Sequence, residues 1–360
     1  MADSIPPDPR SIINMVAAAQ TASEPEPTHH DQTDNLPIPP PTHDDYNDLI
    51  GGSLEVDSGR SGDTDSTMGD DAASFTTSIG SDASEFRYEH GRRYHAYNTG
   101  YALPNDDAEI DRLELQHKVW SVAFNGKLYV CPLPSTVKHV LDVGTGTGSW
   151  AIDFADAHPH CEVLGTDLSP IQPSTVPVNC SFVVDDANDD WAFPHKFDFI
   201  HTRAVTFGIQ DWDHFVSQAW EHLQPGGWIE LHEFHMPLQS DDNSIKPNTP
   251  LDLWNKEMVR AAATIGVDLG AGRWLGDRLK KKGFVNHGET HIKIPIGPWA
   301  KGTTEKRMGA LFQKDIGESI PGISVRLFTK VGYTQEQMDE LFPKVREAMY
   351  NPKVHIYMPM

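Results

Sequence analysis

The stretch Lys138-His139-Val140-Leu141-Asp142-Val143-Gly144-Thr145-Gly146-Thr147-Gly148-Ser149 decides the fold. Its first half is an apolar run ending near an acid, the pattern of a strand buried on both faces. Its second half places glycine at every other position, so the chain can turn sharply and a ligand can approach the backbone. The segment from Gly148 to Ala157 then reads as a helix, whose first N–H groups and positive dipole end face the turn. Strand, glycine turn and helix in that order open an α/β sheet. A dinucleotide would call for G-x-G-x-x-G. Here the third glycine comes one residue early and position 149 is Ser. Asp142, at the ligand end of the strand, would repel a pyrophosphate and welcome an ammonium. The loop therefore favours a ligand carrying an ammonium and a carboxylate, although a plain strand-to-helix turn has the same pattern.

Three further strand ends extend the case. Val163-Leu164-Gly165-Thr166-Asp167 closes the next strand with a carboxylate 19 residues after Gly148. An acid at that position can accept both hydroxyls of a ribose; Asp167 could also simply open the turn that follows. Phe182-Val183-Val184-Asp185-Asp186-Ala187 ends the third strand. Asp186 is placed to accept an adenine amino group while Ala187 offers its N–H, unless the run through Asp190 is only a solvated acidic loop. Phe197-Asp198-Phe199-Ile200-His201-Thr202-Arg203 ends the fourth, beside the crevice where open sheets bind ligands, so His201 or Arg203 could face a ligand there, while His201 could equally be a packed strand-end residue.

Alternation continues on both sides. A fifth strand spans 227–234 after the turn Gln224-Pro225-Gly226-Gly227, and helices are expected over 213–223, 251–265 and 271–282. A sixth strand spans 286–294. Thr334 with Gln337 three residues on forms a capping box, and 353–358 reads as a last strand inserted antiparallel. Ahead of the core, Asn105 caps a long amphipathic helix over about 105–125.

Charge divides the chain. The net charge is -23, yet residues 1–90 hold 18 acidic against 3 basic residues, which leaves 34 acids against 26 bases in the rest. Residues 1–88, with nine prolines, read as a disordered acidic tail that cannot bury enough apolar surface to order itself. Within it Ser11 to Ala19 could form a short helix, on a partner or only transiently. Residues 89–358 form the folded domain. No basic footprint suggests nucleic acid. No run of about 18 apolar residues suggests a membrane span, and the acidic start lacks secretory or mitochondrial character. Cys131, Cys161 and Cys180 form no CxxC pair, as expected in a reducing compartment, nuclear or cytoplasmic. His232-Glu233-Phe234-His235 departs from H-E-x-x-H and lies on a strand that would point its histidines to opposite faces, so no metal site is expected.

The four strand ends, in order and spacing, resemble the class I methyltransferases. Tyr94-His95-Ala96-Tyr97, Tyr101-Ala102-Leu103-Pro104-Asn105-Asp106, Glu109 to His117, Leu168-Ser169-Pro170-Ile171-Gln172-Pro173 and Leu223 to Glu230 resemble the fungal LaeA-like members, over about residues 86–358. The resemblance implies a Rossmann-like, seven-stranded, mostly parallel sheet with helices on both faces. It implies S-adenosyl-L-methionine held by Asp142, Gly144, Thr145, Gly146, Gly148, Asp167, Leu168, Asp186 and Ala187, with His201 nearby. Tyr94, Tyr97, Tyr101 and the 105–124 helix would cover the cofactor, unless the three tyrosines are ordinary packing aromatics, and His201, His232 or Glu233 would line the acceptor side. The family includes regulators of secondary metabolism or development, some acting with velvet-type proteins, and members of natural-product clusters that suit a small-molecule acceptor. A cofactor-binding scaffold of low turnover is a third role. No Asn-Pro-Pro-Tyr follows the fourth strand and no paired-glutamate hairpin is recognisable, so neither adenine, glutamine nor arginine methylation is supported.

Overall fold

A computed structural model describes residues 14–18, 54–57, 86–95 and 100–360. Most of the expected disordered tail, and Tyr97, lie outside the described residues. The strands are β1 (Asn14–Ala18), β2 (Phe86–Glu89), β3 (Arg92–His95), β4 (His139–Val143), β5 (Glu162–Asp167), β6 (Cys180–Val184), β7 (Phe197–Arg203), β8 (Leu223–His232), β9 (Val285–Thr290), β10 (Lys293–Ile296) and β11 (Ile356–Pro359). The helices are α1 (Asp107–Ala123), α2 (Ser149–Ala157), α3 (Trp212–His222), α4 (Pro250–Ala263), α5 (Leu275–Lys282), α6 (Thr303–Lys330) and α7 (Gln335–Met349).

The main sheet has the order β6-β5-β4-β7-β8-β1-β9. Its Rossmann-like core is the five-stranded parallel block from β6 to β8. Successive residues point to opposite faces, and both faces are dry. Val140, Phe199 and Trp228 meet α1, α2, α4, α6 and α7 on one side; Leu141, Ile200 and Ile229 meet α3 and α5 on the other. Each of these side chains is at most 1% exposed, and burial of one such residue contributes about 1.5–3 kcal/mol. Covering both faces leaves only the strand ends for a ligand. The order reverses between β4 and β7, which opens the crevice there.

Several expectations are corrected. Where the expected short helix over 11–19 is described, Asn14–Ala18 is a strand, inserted antiparallel between β8 and β9. A five-residue strand needs no helix nucleus, and here both its edges find backbone partners. That insertion takes the slot expected for the C-terminal strand. β11 pairs instead with β10 in a separate two-stranded ribbon. The sixth strand is accordingly split in two at Thr290. The cap of α1 is Asp106, whose side chain accepts from the Glu109 N–H; Asn105 is buried and donates to Ser169. The box on α7 has both of its hydrogen bonds.

Two elements carry no expectation from sequence. The β2–β3 hairpin precedes α1 and is clamped to its cap by the Arg92–Asp106 ion pair. The 28-residue α6 contains Pro321, and packs along α1 and α7. Upstream, Glu55 and Asp57 pair with Lys301 and Lys306 at its start. Among the described residues no helix is long and apolar enough to cross a membrane.

Candidate functional site

A cavity opens at the carboxyl ends of β4, β5, β6 and β7, under α1, α4 and α6. The glycine loop forms its floor. Gly144 and Gly148 sit at φ +70° and +82°, in the left-handed region. A Cβ on Gly144 would stand 2.3 Å from a Val205 methyl, and one on Gly148 2.4 Å from the Phe182 ring. No larger residue fits either place. The loop is tied down from its far side as well. Gly146 N–H donates to Asp167 Oδ2 at 2.8 Å, and Gln172 Nε2 donates to the Gly146 carbonyl at 2.6 Å.

Asp167, Leu168, Asp186 and Ala187 all line this cavity, as do Gly144, Gly146 and Tyr101. Asp167 accepts the Gly146 and Ser169 amides, one on each oxygen, which fixes its plane and leaves further lone pairs for hydroxyl donors. Burial pushes its pKa up to about 6 against the pull of those amides. Asp186 is held by Asn188, whose backbone and side-chain nitrogens donate to Oδ1; Asn188 also donates to the Gly208 carbonyl and so joins two walls of the cavity.

Other candidates fall elsewhere. Asp142 does not present its charge to a ligand. Its Oδ2 accepts the Thr145 hydroxyl at 2.6 Å and its Oδ1 meets His201 Nδ1 at 2.7 Å. Asp142 therefore neither repels a pyrophosphate nor welcomes an ammonium, contrary to the expectation from sequence, because its carboxyl is turned into the sheet. Thr145 and Gly148 shape the loop from outside the lining. His201 is 0% exposed, stacked against the Trp150 indole at 3.6 Å. His232 is buried beside it, near Trp120 and Phe124. Neither lines the cavity, because each points along the sheet face that α1 and α2 cover. Tyr94 is fully buried with the Arg326 guanidinium 4.3 Å over its ring, a packing role.

Glu233 does reach the cavity, but its carboxyl is engaged. It accepts the Val205 and Thr206 amides at 3.1 Å and the Thr206 hydroxyl at 2.6 Å. Burial pushes it up to about 7. Its work is to hold the turn after β7.

Of His201 and Arg203, both offered by the sequence as facing a ligand, Arg203 is the one that reaches the cavity, and Arg112 carries no such signal. Arg203, at the end of β7, lines the cavity and donates to His117 on α1 at 2.8 Å. Its guanidinium lies 5.7 Å from the Trp120 ring, and among the described residues no carboxylate forms an ion pair with it. Burial pulls its pKa down to about 10. Arg112 is different. It pairs with Glu109 at 2.8 Å and with Asp315 at 3.2 Å, joining α1 to α6. Burial opposes its charge, but the two carboxylates outweigh that and hold its pKa above the usual range. Beyond this pair the far chamber is apolar, with Phe234, Met236, Trp254, Met258, Leu269 and Met358 as walls. No local motif marks these six positions, which come from three distant segments.

A methyltransferase-domain family matches residues 115–286. The methyltransferase pytC of Aspergillus terreus is 38% identical over 288 residues, covering 79% of this chain and 89% of its own. The secondary metabolism regulator LAE1 of Cochliobolus heterostrophus is 32% identical, covering 75% and 91%. The protein-methionine methyltransferase laeA of Emericella nidulans is 31% identical, covering 77% and 75%.

Proposed function

Because the chain belongs to the LaeA-like family of S-adenosylmethionine-dependent methyltransferases, we propose that it methylates a largely apolar small molecule seated in the chamber beyond the glycine loop. The cofactor half of the cavity fits its ligand. Gly144 and Gly148 leave no room for a side chain, Asp167 offers fixed lone pairs to two ribose hydroxyls, Asp186 and Ala187 suit an adenine edge, and the Arg203 guanidinium suits a carboxylate. Bound there, the cofactor supplies an electrophilic methyl group on a sulfonium, whose thioether leaves without acid assistance.

The observation that carries the acceptor reading is the chamber itself. Its walls are apolar, Arg112 and Glu109 at its edge are paired with each other and Arg112 also with Asp315, and Glu233 is spent on a turn. Among the described residues, no side chain of the chamber is left to act as general base. Positioning and exclusion of water then supply the rate, and the acceptor must bring its own lone pair or lose its proton easily. Incubation with methyl-labelled cofactor, a fungal extract and the protein tests this. Label in the organic-soluble fraction is expected; label confined to protein contradicts it.

A regulatory role in a protein complex, with a velvet-type partner and in the nucleus, is the second reading. The relatives named as regulators favour it. Recovery of such a partner by affinity capture, together with protein labelling, would put it first.

A further inference from the structure

Four titratable side chains form a row beneath the glycine loop, none of them in the cavity lining. Asp142, His201 and Glu230 face one another across β4, β7 and β8, and His232 stands two residues beyond Glu230 on the same face. All four are at most 3% exposed. Asp142 Oδ1 lies 2.7 Å from His201 Nδ1. His201 Nε2 lies 3.3 Å from His232 Nδ1. His232 Nε2 lies 3.0 Å from Glu230 Oε2, within ion-pair range though outside hydrogen-bond alignment. The ends are anchored. Thr145 of the glycine loop donates its hydroxyl to Asp142 Oδ2 at 2.6 Å, and Val130 and Cys131 donate their amides to Glu230 Oε1. Trp150 covers one ring and Trp120 the other.

Protons in this row can be counted. Each of its three contacts joins two atoms that both bear lone pairs. One proton makes such a contact attractive, and none makes it repulsive. Two neutral imidazoles supply only two protons for three contacts. The row therefore needs a third, and with three it carries one net negative charge instead of two, which a dry interior favours.

We propose that Asp142, His201, His232 and Glu230 form a three-proton chain whose members are positioning residues, holding the glycine loop in its cofactor-binding shape through Thr145. The positioning half of this proposal rests on the reading of that loop as the cofactor cradle. The third proton resides at the Asp142 end. Burial pushes that carboxyl up to about 7 and holds His201 well below its ordinary value. The groups facing Asp142 act in both directions. Arg203, His117 and His232 favour its charge, whereas Asp167 faces it with a charge of the same sign and Cys180 lies near on β6. Glu230 favours a proton on His201, while His232 and Arg203 oppose one. Loss of the third proton sets lone pair against lone pair and loosens the loop.

Affinity for S-adenosylhomocysteine, measured by calorimetry between pH 6 and 8.5, tests the positioning role. The unaltered protein should lose roughly tenfold as pH rises, the equivalent of one unit of pKa coupling. D142N should flatten that slope, since an amide N–H donates to His201 Nδ1 at any pH. Equal slopes in both proteins overturn the role. The chain itself is tested without ligand or variant, on histidine-labelled protein by nitrogen NMR. A coupling across the hydrogen bond between His201 Nε2 and His232 Nδ1 is expected at pH 6; its absence overturns the chain. If the unaltered protein binds neither form of the cofactor, the cradle reading fails and the positioning role fails with it, while the coupling still decides the chain.

Discussion

Arg203 Nη2 stands 2.8 Å from His117 Nδ1, and His117 Nε2 stands 3.0 Å from Asp153. A residue of β7 that lines the cavity is thereby linked to α1, and α1 to α2. His117 must accept from Arg203 and donate to Asp153, so it fixes the cation in place without neutralising it. Replacing Arg203 by Leu should weaken cofactor binding about tenfold to a hundredfold, on the order of 1.5–3 kcal/mol for a charged hydrogen bond. Arg203→Lys should recover part of the loss, because a point charge lacks the planar fork. Calorimetry on both variants checks this; unchanged binding in the Leu variant removes Arg203 from the site.

The Arg112–Asp315 contact spans 203 residues of sequence and is buried at both ends. Asp315→Ala should destabilise the protein by about 3–5 kcal/mol, since it strands part of a buried positive charge. The pairing of Arg112 with Glu109 softens that cost towards the lower end. Urea unfolding measures it. A shift under about 1 kcal/mol would show that water reaches the pair.

Several buried groups set a pH optimum for stability. Asp142 and Glu233 are raised to about 7 by burial, so the folded chain keeps protons that the unfolded chain has already released. Their neutral forms favour folding below that value, and the advantage fades as pH rises through about 7. His235 is lowered to about 4 and His291 to about 2, again by burial. Protonation of the unfolded histidines below about 6.5 therefore works against the fold. The two effects meet between pH 6 and 7. The thermal midpoint should fall from pH 6.5 to 8, and Glu233→Gln should shrink that fall. A midpoint that climbs across the same range contradicts the assignment.

Inserting Asn14–Ala18 between β8 and β9 gives both neighbours their backbone partners. Removing residues 1–20 should unsatisfy amides along 228–231 and 285–290, and hydrogen exchange there should speed up. The Glu230 and His232 end of the buried row lies on β8, so cofactor affinity should fall in parallel. Unchanged exchange at both strands would show that another segment fills the slot.

Much of this architecture is legible in sequence because its causes are local. The glycine loop, the acids at the ends of β5 and β6 and the alternation of strands with helices each follow from a few adjacent residues. What stayed hidden depends on distance. Asn-Met-Val-Ala-Ala is too short to show a period, and only the open slot between β8 and β9 makes it a strand. Gly309, Gly317, Gly322 and Pro321 disguise α6, yet the glycines are sites of close packing. A Cβ on Gly309 would stand 2.2 Å from the Gly297 carbonyl, and one on Gly322 would stand 2.3 Å from Arg92. His201 and Asp142 looked like ligand contacts because a polar residue at a strand end is normally exposed. Their hydrogen bonds to each other make burial tolerable, and no single-strand pattern reveals that pairing.

Titration of the unaltered protein and of Asp167→Ala with S-adenosylmethionine, side by side in a calorimeter, is the most direct check on the cavity as the cofactor site. The unaltered chain should bind with a single site. The variant should bind at least about tenfold more weakly, having lost the acceptor for ribose hydroxyls and the anchor of the Gly146 amide. Equal affinities for the two proteins would contradict it.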